Sequence, residues 1–126
     1  MKMHVTVALA MLTGMAIGGA AIQTIHAQTK KAYTVTELEV IDPAGAAAFG
    51  PKAQAAQKAA GGNPFRTGGG KIVAMDGTPP ARVAITEWNS LDQAQAFFNS
   101  AAWKDLTPER DKVLKTVRRY SVEALN

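Results

Sequence analysis

The sequence predicts an α+β fold, a ferredoxin-like β-α-β-β-α-β sandwich. Three observations carry that reading. Two segments, Ala32–Ile41 and Arg82–Trp88, alternate with period 2 and are rich in β-branched residues, as half-buried strands are. Each is followed within a few residues by a capped stretch whose apolar side chains recur at helical spacing. Val35-Thr36-Glu37-Leu38 is also echoed by Ile85-Thr86-Glu87-Trp88, as two split β-α-β halves would produce.

Taken in order, residues 1–27 precede the fold. Met1-Lys2-Met3-His4 is a short basic start, Val5–Ile22 is apolar and uncharged, and Ala27 suits the position before a signal-peptidase cut. This is a secretory leader of the general route: there is no cysteine for a lipid anchor and no twin-arginine pair. The expected product is periplasmic or secreted, cleaved after Ala27, and meets a membrane only if the leader is retained. Val5–Ile22 is at the lower edge of the ~20 residues that span a bilayer, and Lys30-Lys31 beyond it opposes a stable anchor. Residues 28–31 form a polar tether, and 32–126 form one domain. After the first strand, Asp42-Pro43 gives an N-cap and a proline at the first helical position. The Ala-rich run to Ala60 carries Phe49, Ala53, Ala56 and Ala60 on one face, and Pro51 should kink or split it. Gly61-Gly62 stop that helix. Phe65–Thr67 and Lys71–Met75 read as short extended pieces hinged at Gly68-Gly69-Gly70. After the Arg82–Trp88 strand, Ser90 and Gln93 form a capping box for a helix carrying Leu91, Ala94, Phe97, Phe98 and Ala101, with Trp103 and Leu106 on its continuation. Thr107-Pro108 caps a further short helix, and Val117–Ala124 is the last strand.

Composition excludes more chemistry than it suggests. Both histidines, His4 and His26, lie in the leader, and the chain has no cysteine. The folded part therefore offers neither imidazole nor thiol, which removes most zinc sites, His-ligated haem, Cys nucleophiles and His bases. No metal and no cofactor is assigned. The leader takes one of the 14 basic residues and none of the 10 acidic ones, so the folded part stays mildly basic. That charge is dispersed rather than striped, which gives no basis for nucleic-acid binding.

Parity along the strands puts Glu37 and Glu87 on one sheet face with Tyr33, Val35, Val83 and Ile85. Thr36, Leu38, Ala84, Thr86 and Trp88 then face the helices. With the first and third strands as central parallel neighbours about 4.8 Å apart, the two carboxylates would raise one another's pKa and serve as acid and base. Glu37 and Glu87 are thus the catalytic candidates, with Tyr33 and Arg82 as ligand-orienting residues. The competing reading is that Arg82, Arg66 or Arg118 neutralises the carboxylates as structural ion pairs. Gly68-Gly69-Gly70-Lys71 lacks the spacing and the Ser or Thr of a phosphate loop and reads as a hinge. Trp88, Trp103, Phe97 and Phe98 read as packing, Tyr120 as a core-edge phenol, and Arg118-Arg119 as a solvated charge run.

Several stretches together resemble the DUF1330 family of the dimeric α+β barrel superfamily. They are Lys31-Ala32-Tyr33, Asp42-Pro43, Gly69-Gly70-Lys71, Pro80–Trp88, Ser90-Leu91 with Ala94 and Ala96-Phe97, and Ser100–Trp103. The resemblance implies a ferredoxin-like protomer that pairs sheet to sheet as a homodimer, and it implies no established reaction. Two functions follow as expectations. The favoured one is a non-catalytic or small-ligand-binding dimer. The alternative is a cofactor-free enzyme acting on a small organic molecule in the barrel cleft through Glu37 and Glu87, since relatives in the superfamily include cofactor-free monooxygenases. Haem degradation, another activity of that superfamily, is disfavoured by the missing histidine.

Overall fold

The computed structural model describes residues 30–125. The leader, its cut after Ala27 and the first half of the tether lie outside those residues. The elements run β1 (Ala32–Val40), α1 (Pro43–Ala59), β2 (Asn63–Pro64), β3 (Arg82–Trp88), α2 (Leu91–Phe98), α3 (Ala101–Lys104), α4 (Thr107–Val113) and β4 (Leu114–Glu123). The sheet order is β2-β3-β1-β4, and every neighbouring pair is antiparallel. This is the expected ferredoxin-like α+β arrangement. One detail differs. β1 and β3 are central neighbours but run antiparallel, because α1 crosses between β1 and β2, and β3, filling the gap between those two parallel strands, opposes both.

Local chemistry explains most element ends. Asp42 caps α1 by accepting a hydrogen bond from the Gly45 N–H at 3.2 Å, with Pro43 as the first helical residue. A side chain at Gly45 would run into Val113, so this glycine lets α1 start against the end of α4. Pro51 does not split α1. Gly50 has no Cβ to meet the proline ring, and the Ala47 carbonyl that loses its donor sits on an exposed residue where water can serve it. Gly61, at φ +93°, ends the helix in the left-handed region.

The sheet edge is shorter than expected. Only Asn63–Pro64 is strand, followed by one further bond from Phe65 N–H to the Ile85 carbonyl at 2.8 Å. Lys71–Met75 joins no strand, because the chain leaves the edge at a turn closed by Gly70 N–H to the Thr67 carbonyl, 3.0 Å, with Gly69 at φ +81°. Thr67 holds that turn to the sheet by donating to the Val83 carbonyl at 2.8 Å.

Ser90 caps α2, accepting from Gln93 N–H at 3.1 Å, while Gln93 accepts from the Asn89 N–H rather than from Ser90. The expected continuation breaks at Asn99, and Ser100 caps α3 instead. Thr107-Pro108 forms the first turn of α4, with Leu106 at the cap position making no side-chain cap bond. β4 begins at Leu114, earlier than expected.

The helices cover one sheet face over two core clusters. One joins Ala32, Trp88, Ala94, Phe97 and Trp103; the other joins Leu38, Ala46, Phe49, Val113 and Leu114. Trp88 is 1% exposed and donates its indole N–H to Thr34 at 3.0 Å. The opposite sheet face carries Tyr33, Val35, Glu37, Ile85, Glu87, Tyr120 and Val122, and Tyr120 and Val122 are exposed. Among the described residues no helix is long and apolar enough to cross a membrane.

Candidate functional site

The register brings Tyr33 and Glu87 together and separates Glu37 and Arg82 from them. Glu37 pairs across β1–β3 with Val83, whereas Glu87 pairs with Tyr33. Four residues along a strand is roughly 13 Å, so the two carboxylates share a face but not a site. The adjacency expected of them is corrected by strand direction: parallel neighbours would have kept them level, and antiparallel ones carry them to opposite ends.

Each carboxylate has its own partner. Glu37 meets the Arg118 Nε at 3.1 Å. Glu87 accepts from the Tyr33 hydroxyl at 3.1 Å and lies 3.5 Å from the Lys31 ammonium. The hydrogen bond to Glu87 raises the Tyr33 phenol above its ordinary pKa, with desolvation and the Glu87 charge acting in the same direction. Arg82 is on the other face, opposite Leu38, and its guanidinium reaches the Gly68–Gly70 turn.

That other face holds a cavity of about 120 Å³ between the sheet and α1. It lies where the two core clusters meet over small residues, Ala53 on α1 and Ala84 on β3. Leu38, Phe49 and Leu114 form a buried apolar end, while the exposed Gln54 and Gly68 belong to its mouth. An apolar cavity of about 150 Å³ accommodates the six carbons of benzene, so an occupant here has about five heavy atoms inside. Thr86 donates to Gln57 Oε1 at 2.8 Å on one wall. No acidic side chain lines the space.

The charged groups in this cavity are arginines. Arg119 donates from Nε to the Thr36 hydroxyl at 3.0 Å, and its guanidinium carbon lies 4.8 Å from the Trp103 ring centroid and 5.0 Å from that of Phe98. Desolvation, followed by the charge of Arg110, lowers its pKa to about 10. Arg110 lies 5.4 Å from the same indole and is bonded through Nε and Nη2 to Asp111 at 3.1 and 3.0 Å.

The solvated run expected at Arg118-Arg119 is therefore half right. Arg118 is exposed and pairs with Glu37, whereas Arg119 turns under the helices. A bulge on β4 between the partners of Glu37 and Leu38 leaves Val117 unpaired. It lets Leu114 and Thr116 before it, and Arg119 and Ser121 after it, all face the helices. The usable sequence signal was simple: adjacent strand residues point to opposite faces, so one arginine of the pair had to point inward. Trp103 is buried packing, as expected, and also walls the cavity. Among the described residues no three His, Cys, Asp or Glu side chains gather where they could hold a metal.

Comparison with solved structures agrees with this fold. Two structures of RPA0582, described as a protein of unknown function from Rhodopseudomonas palustris, superpose with TM-scores of 0.58 at 13% and 14% identity, covering 85% of this chain and 91% and 93% of theirs. HapK from Hahella chejuensis is more distant, with a TM-score of 0.49 at 15% identity over 75% of this chain and 92% of its own. No curated protein matches the sequence. The model of the domain of unknown function DUF1330 matches residues 31–124, nearly the whole described fold, and the chain belongs to the DUF1330 family.

Proposed function

We propose that this chain binds a small organic ligand in the cavity between sheet and helices, without chemistry of its own on that ligand, and works as an exported homodimer. The observation that carries the ligand reading is the cavity: an enclosed apolar end, a small set of convergent polar groups and a mouth, as ligand sites have. Its lining includes no carboxylate, imidazole or thiol, so it holds no general base and no activated nucleophile. The dimer reading draws on the uncovered apolar sheet face and on the family resemblance, and the export reading on the leader.

A cofactor-free enzyme remains the second reading. The hydrogen-bonded Tyr33–Glu87 pair favours it over the separated Glu37–Glu87 pair, and it would place any chemistry in the cleft between protomers.

The test is a thermal-shift screen of the protein against small aliphatic and aromatic metabolites, since a ligand of the native state raises Tm by mass action. Ala84→Leu, which fills the cavity from the sheet side, is expected to abolish the shifts while keeping the fold. Shifts that survive Ala84→Leu but vanish in Glu87→Gln would move the site to the other sheet face.

A further inference from the structure

The geometry points to a small organic monoanion as the ligand: a carboxylate on a short apolar body, its charged end on Arg119. This rests on the ligand-binding reading of the cavity and names the chemistry that would fill it. Arg119 is held in a way that leaves one edge for a partner. Trp103 and Phe98 lie against the guanidinium, and Nε is committed to Thr36. Its two terminal nitrogens donate no hydrogen bond among the described residues, yet they are not sealed in as unpaired buried atoms. Arg119 lines the cavity, and what remains is a planar pair of donors of the kind that meets the two oxygens of a carboxylate.

Charge accounting supports an anion. None of the ion pairs among the described residues includes Arg119 or Arg82, and both line the cavity. Arg110, close enough to repel Arg119, has Asp111 as its counter-ion. The cavity thus holds two guanidinium groups without a carboxylate, next to a wall of Leu38, Phe49 and Leu114. A half-buried cation without a counter-ion is less well solvated than a free one, and a bound anion would offset that loss. Inorganic phosphate has charge but nothing to place against the apolar end. A neutral molecule fits that end but leaves Arg119 as it is. A short carboxylate satisfies both.

The experiment compares charged and neutral isosteres on the purified full-length chain. Butanoate and benzoate are titrated by calorimetry beside butanamide and benzamide, with inorganic phosphate as a third arm. Carboxylates are expected to bind about tenfold or more tightly than their amides, the scale of one charge-assisted hydrogen-bond pair. Arg119→Met should bring that ratio to about one, and Arg118→Met, on the opposite face, should leave it unchanged. In wild-type protein the Arg119 Nε–H resonance should move with butanoate and not with butanamide, which keeps the question open to test if Arg119→Met fails to fold. Amides that bind as well as carboxylates would overturn the anion assignment and spare the ligand-binding reading. Phosphate that binds more tightly than butanoate would overturn the apolar body. Silence from both organic classes, by calorimetry and by resonance shift, would overturn the assignment and the ligand-binding reading together.

Discussion

Tyr33 and Glu87 show how a residue chosen for one role can be held by another. The phenol donates to the carboxylate at 3.1 Å, and that bond keeps its proton on beyond the ordinary value. Because the folded-state pKa is raised, the stability this group contributes is fully present below the ordinary phenol value of about 10 and is lost as pH rises through the raised folded value. Glu87→Gln replaces the carboxylate whose hydrogen bond is the largest cause of the shift and whose charge adds to it. Tyr33 should then titrate at lower pH than in wild type, followed by tyrosinate absorbance, with Tyr120 as the internal comparison. An unchanged Tyr33 titration would mean that burial, not the carboxylate, sets it. Arg119 runs the opposite way: desolvation and Arg110 favour its neutral form, and its pKa of about 10 still leaves it charged at neutral pH. Carboxylate affinity should accordingly hold steady through neutral pH and fall as pH climbs through about 10.

At the scale of elements, α1 carries a proline in its interior and remains one helix. A proline at such a position costs about 3 kcal/mol against alanine in a helix interior, offset by ~0.4–1 kcal/mol from the stiffer unfolded chain. Pro51→Ala is therefore expected to stabilise the protein by roughly 2–2.6 kcal/mol, seen as a higher urea midpoint at unchanged m-value. A lower midpoint would mean that the proline ring makes a packing contribution that alanine cannot replace. The element order was legible in the sequence because caps and alternation are local signals: Asp42, Ser90 and the period of β1 each act within a few residues. Strand direction was not, because it is set by how α1 crosses the sheet. The echoed Thr-Glu segments illustrate the limit. Val35 and Ile85 face one another across β1–β3, so the two copies are related by a local twofold through that pair. The symmetry that makes the echo is the same one that drives Glu37 and Glu87 to opposite ends. The bulge at Val117 was equally hidden, and with it the choice of which arginine turned inward.

For the whole molecule, the two sheet faces divide the work. One is filled by helices except over Ala53 and Ala84, and a gap between small side chains leaves no motif in a sequence, which is why the cavity was not legible there. The other face leaves Phe65, Tyr120 and Val122 exposed beside Val35 and Ile85, the kind of apolar surface that a second copy would cover. Sedimentation is expected to give a dimer for the purified chain. Val35→Glu, placing a charge at the centre of that face, should shift it to monomer while ligand binding on the far side persists. A wild-type monomer at high concentration would overturn the dimer. Of the two tryptophans in the chain, Trp88 is sealed in the core and bonded to Thr34, whereas Trp103 forms a cavity wall beneath two guanidinium groups. Trp103 thus serves as an optical gauge of the cavity: an occupant that draws Arg119 from its indole is expected to change its emission, and a Trp88→Phe variant reads that change from Trp103 by itself.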